Sequence, residues 1–281
     1  MAFVDGRSLV VQAARPGNER LLRASLYWHD RLKSAGVPIA PILHADLGRH
    51  VFSHPYVILE RLAGSDLEKR YPELSRSAKL ALAAKMVEIQ CATASLPTRR
   101  GFGHAFSYEE PGPHRSWSAV IQAEIERLRT RIHSASILRP EDVDRLERAT
   151  AALDGAFSSI QACALLDDAT SKNVIVDPSG ALAGIVDVDT LCFGDSLFPL
   201  ALTRAAFAKL GYDAEYTNAW KGQLQSGERS RACLHFHTAL FSAVILSEHG
   251  LRFNQPVAAT VDHQGADRLK RLFDGQLRSC A

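Results

Sequence analysis

The order of apolar and polar positions divides the chain into a short strand-rich part and a long helical part. Near the start, short apolar and β-branched runs are separated by turn residues, a pattern typical of strands. The first two predicted strands are joined by Asp5-Gly6, a dipeptide that favours a type I′ hairpin turn. The runs that we predict as strands cover residues 1–4, 8–14, 42–44 and 51–60.

One helix is predicted among these strands. Ala24, Trp28 and Leu32 recur at helical spacing, and Gly36 follows as a stop signal. This spacing predicts a helix over residues 19–34. The first part of the chain is therefore expected to form a small mixed lobe.

From residue 67 onward the pattern is mainly helical. It is interrupted by the β-branched residues 174–176, a turn at residues 177–180 and an apolar run at residues 183–186, which together predict a β-hairpin. We expect an α+β chain with a small lobe at residues 1–62 and a helical lobe at residues 63–281. The predicted helices cover residues 78–95, 117–134, 140–158, 197–210, 232–249 and 262–277.

Composition narrows the class of protein. A chain of 281 residues with 46% hydrophobic content can bury a large core. Its formal net charge of +2 gives no field of a single sign, so nucleic-acid binding is not indicated. The five cysteines lack any Cys-x-x-Cys pair, which favours a reducing compartment and disfavours zinc. No apolar stretch is long enough for a membrane span, so a soluble, cytoplasmic protein is expected.

The predicted hairpin brings two oxygen-bearing side chains together. Asn173 and Asp187 lie symmetrically about Gly180, and opposed positions of an antiparallel pair are roughly 5 Å apart. Amide and carboxylate oxygens are ligands that Mg2+ prefers. We therefore predict that these two side chains bind one magnesium ion.

Asp168 lies in the loop that enters the hairpin, five residues before Asn173. A carboxylate at this place can accept a proton from an attacking hydroxyl, as a general base does. Asp167 is an alternative base, one residue out of place. Residues 167–171 could also form an ordinary turn or helix cap, since such side chains bond nearby backbone groups. That interpretation does not explain the spacing to Asp187.

The order of these pieces resembles the aminoglycoside phosphotransferase family of small-molecule kinases, and the same spacing occurs in the catalytic loop of protein kinases. Members of the family typically show His-Gly-Asp-x4-Asn, a hairpin, Ile-Asp-Trp-Glu and Gly-Asp-Pro. The matching positions here are Leu166-Asp167-Asp168, Asn173, Val186-Asp187-Val188-Asp189 and Gly194-Asp195-Ser196.

The resemblance implies a protein-kinase-like two-lobe fold and Mg2+-dependent transfer of the γ-phosphate of ATP to a hydroxyl of a small molecule. It assigns Asp168 as the catalytic base and Asn173 and Asp187 as magnesium ligands. Asp189 and Asp195 are expected to support the site, Asp195 as a structural carboxylate beside the metal loop.

The resemblance also implies a hinge between the lobes. In the run YVILERLAG, backbone groups of Glu60 and Leu62 are expected to bond adenine. The small lobe departs from the family, because it lacks the family's first strand and glycine-rich loop. Gln12 occupies the position of the phosphate-binding Lys or Arg, and Ala24 or Ser25 that of its Glu partner.

These departures leave alternatives open. Either the natural chain starts upstream, or the small lobe is degenerate and the protein binds nucleotide without turnover. A second alternative is a haloacid dehalogenase-like phosphatase, in which Asp187 of Asp187-Val188-Asp189-Thr190 is the nucleophile, although the parallel-sheet pattern of that class is missing. The acceptor is not predicted. Because acidic residues are scattered among basic ones, we expect no acidic cleft, and hence not a polycationic acceptor.

Overall fold

The structure, a computed structural model, describes residues 2–4, 7–15, 17–135, 137–224, 227–248 and 262–280. The predicted turn at Asp5-Gly6 and residue 249, the predicted end of one helix, lie outside the described residues. The first elements are β1 (Ala2–Val4), β2 (Arg7–Ala13), α1 (Glu19–Ser34), β3 (Ile42–Asp46) and β4 (Tyr56–Glu60). The four strands form one antiparallel sheet in the order β1-β2-β4-β3.

Helix α1 packs against both parts of the chain. Leu22 belongs to a small core with Ala14 and Val57, whereas Trp28 and Leu32 are fully buried in the main core of the protein. The α1 prediction of residues 19–34 is confirmed, since its apolar stripe has an uninterrupted helical spacing.

The rest of the chain is mostly helical, with short strands between the helices. Its elements are β5 (Ser65–Asp66), α2 (Leu67–Arg70), a 3₁₀ turn (Tyr71–Glu73), α3 (Arg76–Ala94), β6 (Gly103–Ala105), α4 (Trp117–Ala135), α5 (Pro140–Ala152), α6 (Asp154–Phe157), β7 (Cys163–Leu165), β8 (Val174–Val176), β9 (Leu182–Ile185), β10 (Leu191–Gly194), α7 (Phe198–Leu210), α8 (Glu215–Gln223), α9 (Glu228–Ser247) and α10 (His263–Arg278).

Two three-stranded sheets cross the helical lobe, in the orders β5-β8-β9 and β6-β10-β7. All strand pairs among the described residues are antiparallel. The parallel sheet of the phosphatase alternative is therefore not found in the described part of the chain. The prediction that a single hairpin interrupts the helices is wrong, because strands of two to four residues are too short to produce a readable alternation.

Three further predictions differ from the structure. Residues 140–158 form two helices, α5 and α6, instead of one. Helix α8 was missed, since Tyr216, Thr217 and Trp220 are its only buried residues and give a weak stripe. The strand predicted over residues 51–60 begins at Tyr56.

Helix α9 lies at the centre of the helical lobe. Phe236, Ala239 and Leu240 are fully buried on it, between α7 and α10. An apolar helix buried on most sides is typical of the core of a large domain. In the described ranges, we find no helix with the combined length and apolarity that a membrane span requires.

Candidate active site

The β8–β9 hairpin differs in register from the prediction. The N–H of Asp177 donates to the carbonyl of Ala181 at 2.9 Å, so the turn is centred on residue 179 instead of Gly180. A bulge then offsets the two strands. As a result Asn173 opposes Val186, whose N–H donates to the Asn173 carbonyl at 2.9 Å. The symmetric pairing of Asn173 with Asp187 is therefore wrong by one residue.

Asp187 follows the strand in a left-handed conformation, with φ of 62°. A non-glycine residue adopts this region uncommonly, and such strain is concentrated at functional sites. Its Oδ1 atom accepts a hydrogen bond from Nε2 of Gln12 at 3.4 Å. The side chain of Asp187 therefore points away from the hairpin and contacts β2 of the small lobe.

Asp168 and Asn173 are joined directly. The side-chain amide of Asn173 donates to the backbone carbonyl of Asp168 at 2.9 Å and to its Oδ2 atom at 3.0 Å. The hydroxyl of Thr170 donates to Asp168 Oδ1 at 3.3 Å. Burial in the cleft, with the nearby charges of Asp167 and Asp187, raises the pKa of Asp168 to about 6. A carboxylate whose pKa lies near neutrality is suited to proton transfer.

The side-chain oxygen atoms of Asn173 and Asp187 are suitable ligands for a hard divalent cation. Since the Asn173 nitrogen is used by Asp168, its amide oxygen remains as an acceptor, and both Asn173 and Asp187 line one cavity. Among the described residues, no cluster of three or more His, Cys, Asp or Glu side chains is placed to hold a metal. A magnesium ion here would rely on one amide, one carboxylate and oxygens of a phosphate or water, which is a common arrangement for Mg2+.

A cavity of about 340 Å³ lies between the two lobes. Glu60, Leu62, Gln12 and Ser25 line it, as does Asp187. Most of its remaining wall is apolar, from Val10, Ile39, Ala40, Leu59, Ile175 and Ile185. The structure therefore places the predicted hinge, the predicted cation position and both predicted metal ligands around one space.

The two hinge residues, Glu60 and Leu62, differ in whether the backbone N–H already donates to another backbone group. The N–H of Glu60 already donates to the carbonyl of Pro41 at 2.9 Å, so it is not available to adenine. In the part of the chain that the structure describes, no backbone carbonyl accepts from the N–H of Leu62. Of the two candidates for the Glu partner position, Ser25 lines the cavity, whereas Ala24 is buried in the core.

A second cavity, of about 300 Å³, lies on the other side of Asp187. It is lined by Asp167, Asp168 and Asp189, and residues 185–188 line both cavities. Burial raises the pKa of Asp167 and that of Asp189, and the charge of Asp187 adds to the rise at Asp189. The expectation of no acidic cleft is therefore wrong at this place.

His104 and Thr190 also line the second cavity, and the sequence had given neither a role. In the structure Gly103 begins β6, which carries His104 to the cavity wall. No signal in the sequence connects this strand with β10, because they are more than eighty residues apart.

Asp195 lies apart from both cavities. Its buried carboxylate accepts from the N–H of Leu197 at 3.0 Å and pairs with Nε2 of His237 at 2.9 Å. His235 pairs instead with Gln276, so the two histidines diverge as their helical spacing predicts. Asp195 fixes the turn between β10 and α7.

A family model described as the phosphotransferase enzyme family, APH, matches residues 2–234. The chain belongs to this family. Its members are phosphotransferases, so the resemblance found in the sequence is confirmed and the dehalogenase-like alternative loses its basis. Comparison with curated proteins gives no match.

Solved structures confirm the kinase-like fold. Aminoglycoside phosphotransferase APH(4)-Ia is 18% identical, with a TM-score of 0.66 over 99% of this chain and 88% of that one. A thermostable mutant of it, in a ternary complex with ADP and hygromycin B, is 19% identical, with a TM-score of 0.66 over the same shares. The GDP complex of aminoglycoside 2'-phosphotransferase-IIIa is 13% identical, with a TM-score of 0.62 over 98% of this chain and 88% of that one.

Proposed function

We propose that this phosphotransferase moves the γ-phosphate of ATP, with Mg2+, to a hydroxyl group of a small molecule. The observation that carries the proposal is the position of Asp187, on the wall shared by two cavities. A nucleotide in the first cavity and an acceptor in the second would meet beside Asp168. In-line transfer requires the two reactants to approach from opposite sides of one phosphorus atom.

The residues have distinct proposed roles. Asp168 orients the acceptor hydroxyl and takes its proton, as its pKa of about 6 favours. Asn173 and Asp187 would hold the magnesium ion, which neutralises phosphate charge when bound. Asp189 and Asp195 support these loops, Asp189 at the second cavity and Asp195 beneath β10.

The nucleotide is proposed to lie in the first cavity. The carbonyl of Glu60 and the N–H of Leu62 bond the base, and Gln12 lies near the phosphates beside Asp187. Related structures contain ADP in one case and GDP in another, so the test compares both triphosphates. The lobe boundary after residue 62 and a cytoplasmic location are part of the same proposal, the latter favoured by five free cysteines.

The competing function is nucleotide binding without turnover. It is favoured by Gln12, a neutral side chain at the position where the family has a cation. His29 and Arg61 are the basic residues that line the first cavity in the described ranges, and no lysine does so. Loss of a phosphate-directed cation weakens electrostatic stabilisation of the transferred group.

One experiment separates the two functions. Thermal unfolding is measured with ATP or GTP, each with Mg2+ and with EDTA, and ADP or GDP release is followed with hydroxylated metabolites. A metal-dependent rise in Tm with acceptor-dependent release supports the kinase. A rise in Tm without release from any acceptor supports the non-catalytic alternative.

A further inference from the structure

Strand β6 places an imidazole at the wall of the second cavity. Nε2 of His104 lies 3.5 Å from Oδ2 of Asp167, and its Nδ1 lies 3.3 Å from the hydroxyl oxygen of Thr190. The strand itself is fixed, because Nε1 of the buried Trp28 donates to the carbonyl of Ala105 at 2.7 Å. The His104 ring, which is 57% exposed, therefore has a polar oxygen near each of its nitrogens and is carried on a supported strand, as suits a recognition residue.

Asp167 is one of two residues at which this loop departs from the family pattern, the other being Leu166 in place of histidine. Members of the family typically have glycine before the catalytic aspartate, and a glycine offers no side chain to a substrate. Here the carboxylate of Asp167 lies next to Asp168 and lines the same cavity, and the Asp167 side chain is 23% exposed. Its burial is unfavourable for a charged group, so its presence calls for a partner with a positive charge or a hydrogen to donate.

The cavity limits what that partner can be. A volume of about 300 Å³ suits a molecule of monosaccharide size. Its polar wall consists of four carboxylates, one imidazole and one hydroxyl, from Asp167, Asp168, Asp187, Asp189, His104 and Thr190. No lysine or arginine lines this cavity among the described residues. Such a wall attracts hydrogen-bond donors and repels anions.

We propose that Asp167 and His104 form an acceptor-specificity pair, which binds a donor group next to the hydroxyl that Asp168 orients. The acceptor is then a compact hydroxyl compound with an adjacent donor, and a protonated amine is bound better than a second hydroxyl. This proposal rests on the proposed function. It gives Asp167 a role in recognition and leaves proton transfer to Asp168.

The test uses acceptors in matched pairs that differ in one group. D-Glucosamine is compared with D-glucose, and 2-amino-1,3-propanediol with glycerol, each with Mg-ATP, by ADP release and by mass of the product. The variants are Asp167→Asn and His104→Gln. Asp267→Asn is the control, since Asp267 is exposed on α10 and lines neither cavity.

We expect the wild type and Asp267→Asn to prefer the amine of each pair. Asp167→Asn should raise KM for the amine by roughly tenfold to 100-fold, the usual effect of losing a hydrogen bond to a charged group, and should abolish the preference. His104→Gln should raise KM for both members of a pair. In each case kcat should change much less than KM, because the base is intact.

Three results would overturn the inference. In the first, Asp167→Asn lowers kcat at constant KM, which makes Asp167 part of the proton transfer. In the second, Asp167→Asn behaves like Asp267→Asn. In the third, none of the four acceptors gives ADP release although another hydroxylated metabolite does, so the acceptor is of another class. Failure of the proposed function has a different signature, since then no hydroxylated metabolite of any class gives ADP release, whether or not Mg-ATP raises Tm.

Discussion

The two cavities that meet at Asp187 differ in how the chain builds them. The first takes much of its wall from the hinge and from the β8–β9 hairpin, which are continuous segments with strong local patterns, and the rest from β2, α1 and residues 39–40. The second joins His104 of β6 to Asp167, Asp168 and Thr190, which lie in loops on either side of the hairpin. A space bounded by continuous segments can be recognised in the sequence. A space assembled across a sheet can be recognised only in part.

The cavities differ in charge as well. The first has Gln12 where a cation was expected, and the second is acidic although the whole chain is nearly balanced. The error in predicting no acidic cleft has a physical origin. Average composition reports on solubility and long-range fields. Four aspartates within about twenty residues of each other nevertheless meet here, because the hairpin folds them around one space.

The largest expected effect concerns Asp168, which lines the second cavity and accepts a hydrogen bond from Asn173 of the first. Replacing it, in Asp168→Ala, should lower kcat by about 10²-fold to 10⁴-fold, the usual contribution of a general base. Binding of Mg-nucleotide should persist, because Asn173 still donates to the carbonyl of residue 168. Calorimetry with a non-hydrolysable nucleotide and steady-state ADP release measure the two effects. Full turnover of this variant would show that the base is another group.

Asp187→Ala should have the next largest effect. It should weaken nucleotide binding as well as the transfer step. Removing the carboxylate ligand should weaken Mg-dependent nucleotide binding by at least about 100-fold, beyond what the loss of an outer-shell partner causes. Asp189→Ala is the matched control, since Asp189 lines only the second cavity. The comparison between the cavities breaks down if both variants lose nucleotide binding equally.

Much of the fold follows from periodicity. The helix at Glu19–Ser34 and the one that begins at Trp117 have long apolar stripes, and both were predicted within one residue. The short strands were not, because two to four residues carry too little alternation and their pairing is decided by distant partners. Tertiary contacts, such as that of Trp28 with Ala105, have no counterpart in local sequence.

The candidate site was predicted in the same uneven way. Asp168, Asn173 and Asp187 were selected because a fixed spacing links them through one hairpin, and the structure brings these three residues close to one another. The register error arose because the turn is centred one residue earlier and a bulge follows, neither of which the residue types specify. His104 was missed, since a single histidine on a short strand has no pattern around it.

A smaller effect is expected at Gln12, and it sharpens the contrast in charge. Gln12→Lys places a cation beside Asp187 and the phosphates, so the Kd for Mg-nucleotide should fall up to about tenfold, or about 1.4 kcal/mol. Gln12→Met, of similar length and without charge, should not tighten binding. KM for the acceptor should stay constant in both variants. Weaker nucleotide binding in Gln12→Lys would show that the lysine neutralises Asp187 instead of the phosphates.

The smallest expected effect is on the stability of the fold. It distinguishes Asp167, whose pKa is raised, from Asp213, whose pKa is lowered. Burial raises the pKa of Asp167, so the unfolded chain holds fewer protons than the native state and ionised Asp167 destabilises the fold once the pH exceeds its unfolded pKa. For Asp213, burial opposes but hydrogen bonds from Lys79 and Tyr71 prevail, and its pKa is lowered. That carboxylate stabilises the fold at neutral pH and ceases to do so as the pH falls through its native pKa.

The variants Asp167→Asn and Asp213→Asn should therefore change Tm in opposite directions. At pH 7, Asp167→Asn should raise Tm by a few degrees, as expected when a strained functional residue is relieved, and Asp213→Asn should lower it. Both differences from the wild type should shrink below about pH 4, where the unfolded carboxylates become protonated. Calorimetric scans from pH 3.5 to 8 measure this. A loss of stability in Asp167→Asn at neutral pH would mean that the contact with His104 stabilises the fold. In that case the carboxylate of Asp167 would not be held in the second cavity at a cost to stability, and the argument that it is there to bind a ligand would fail.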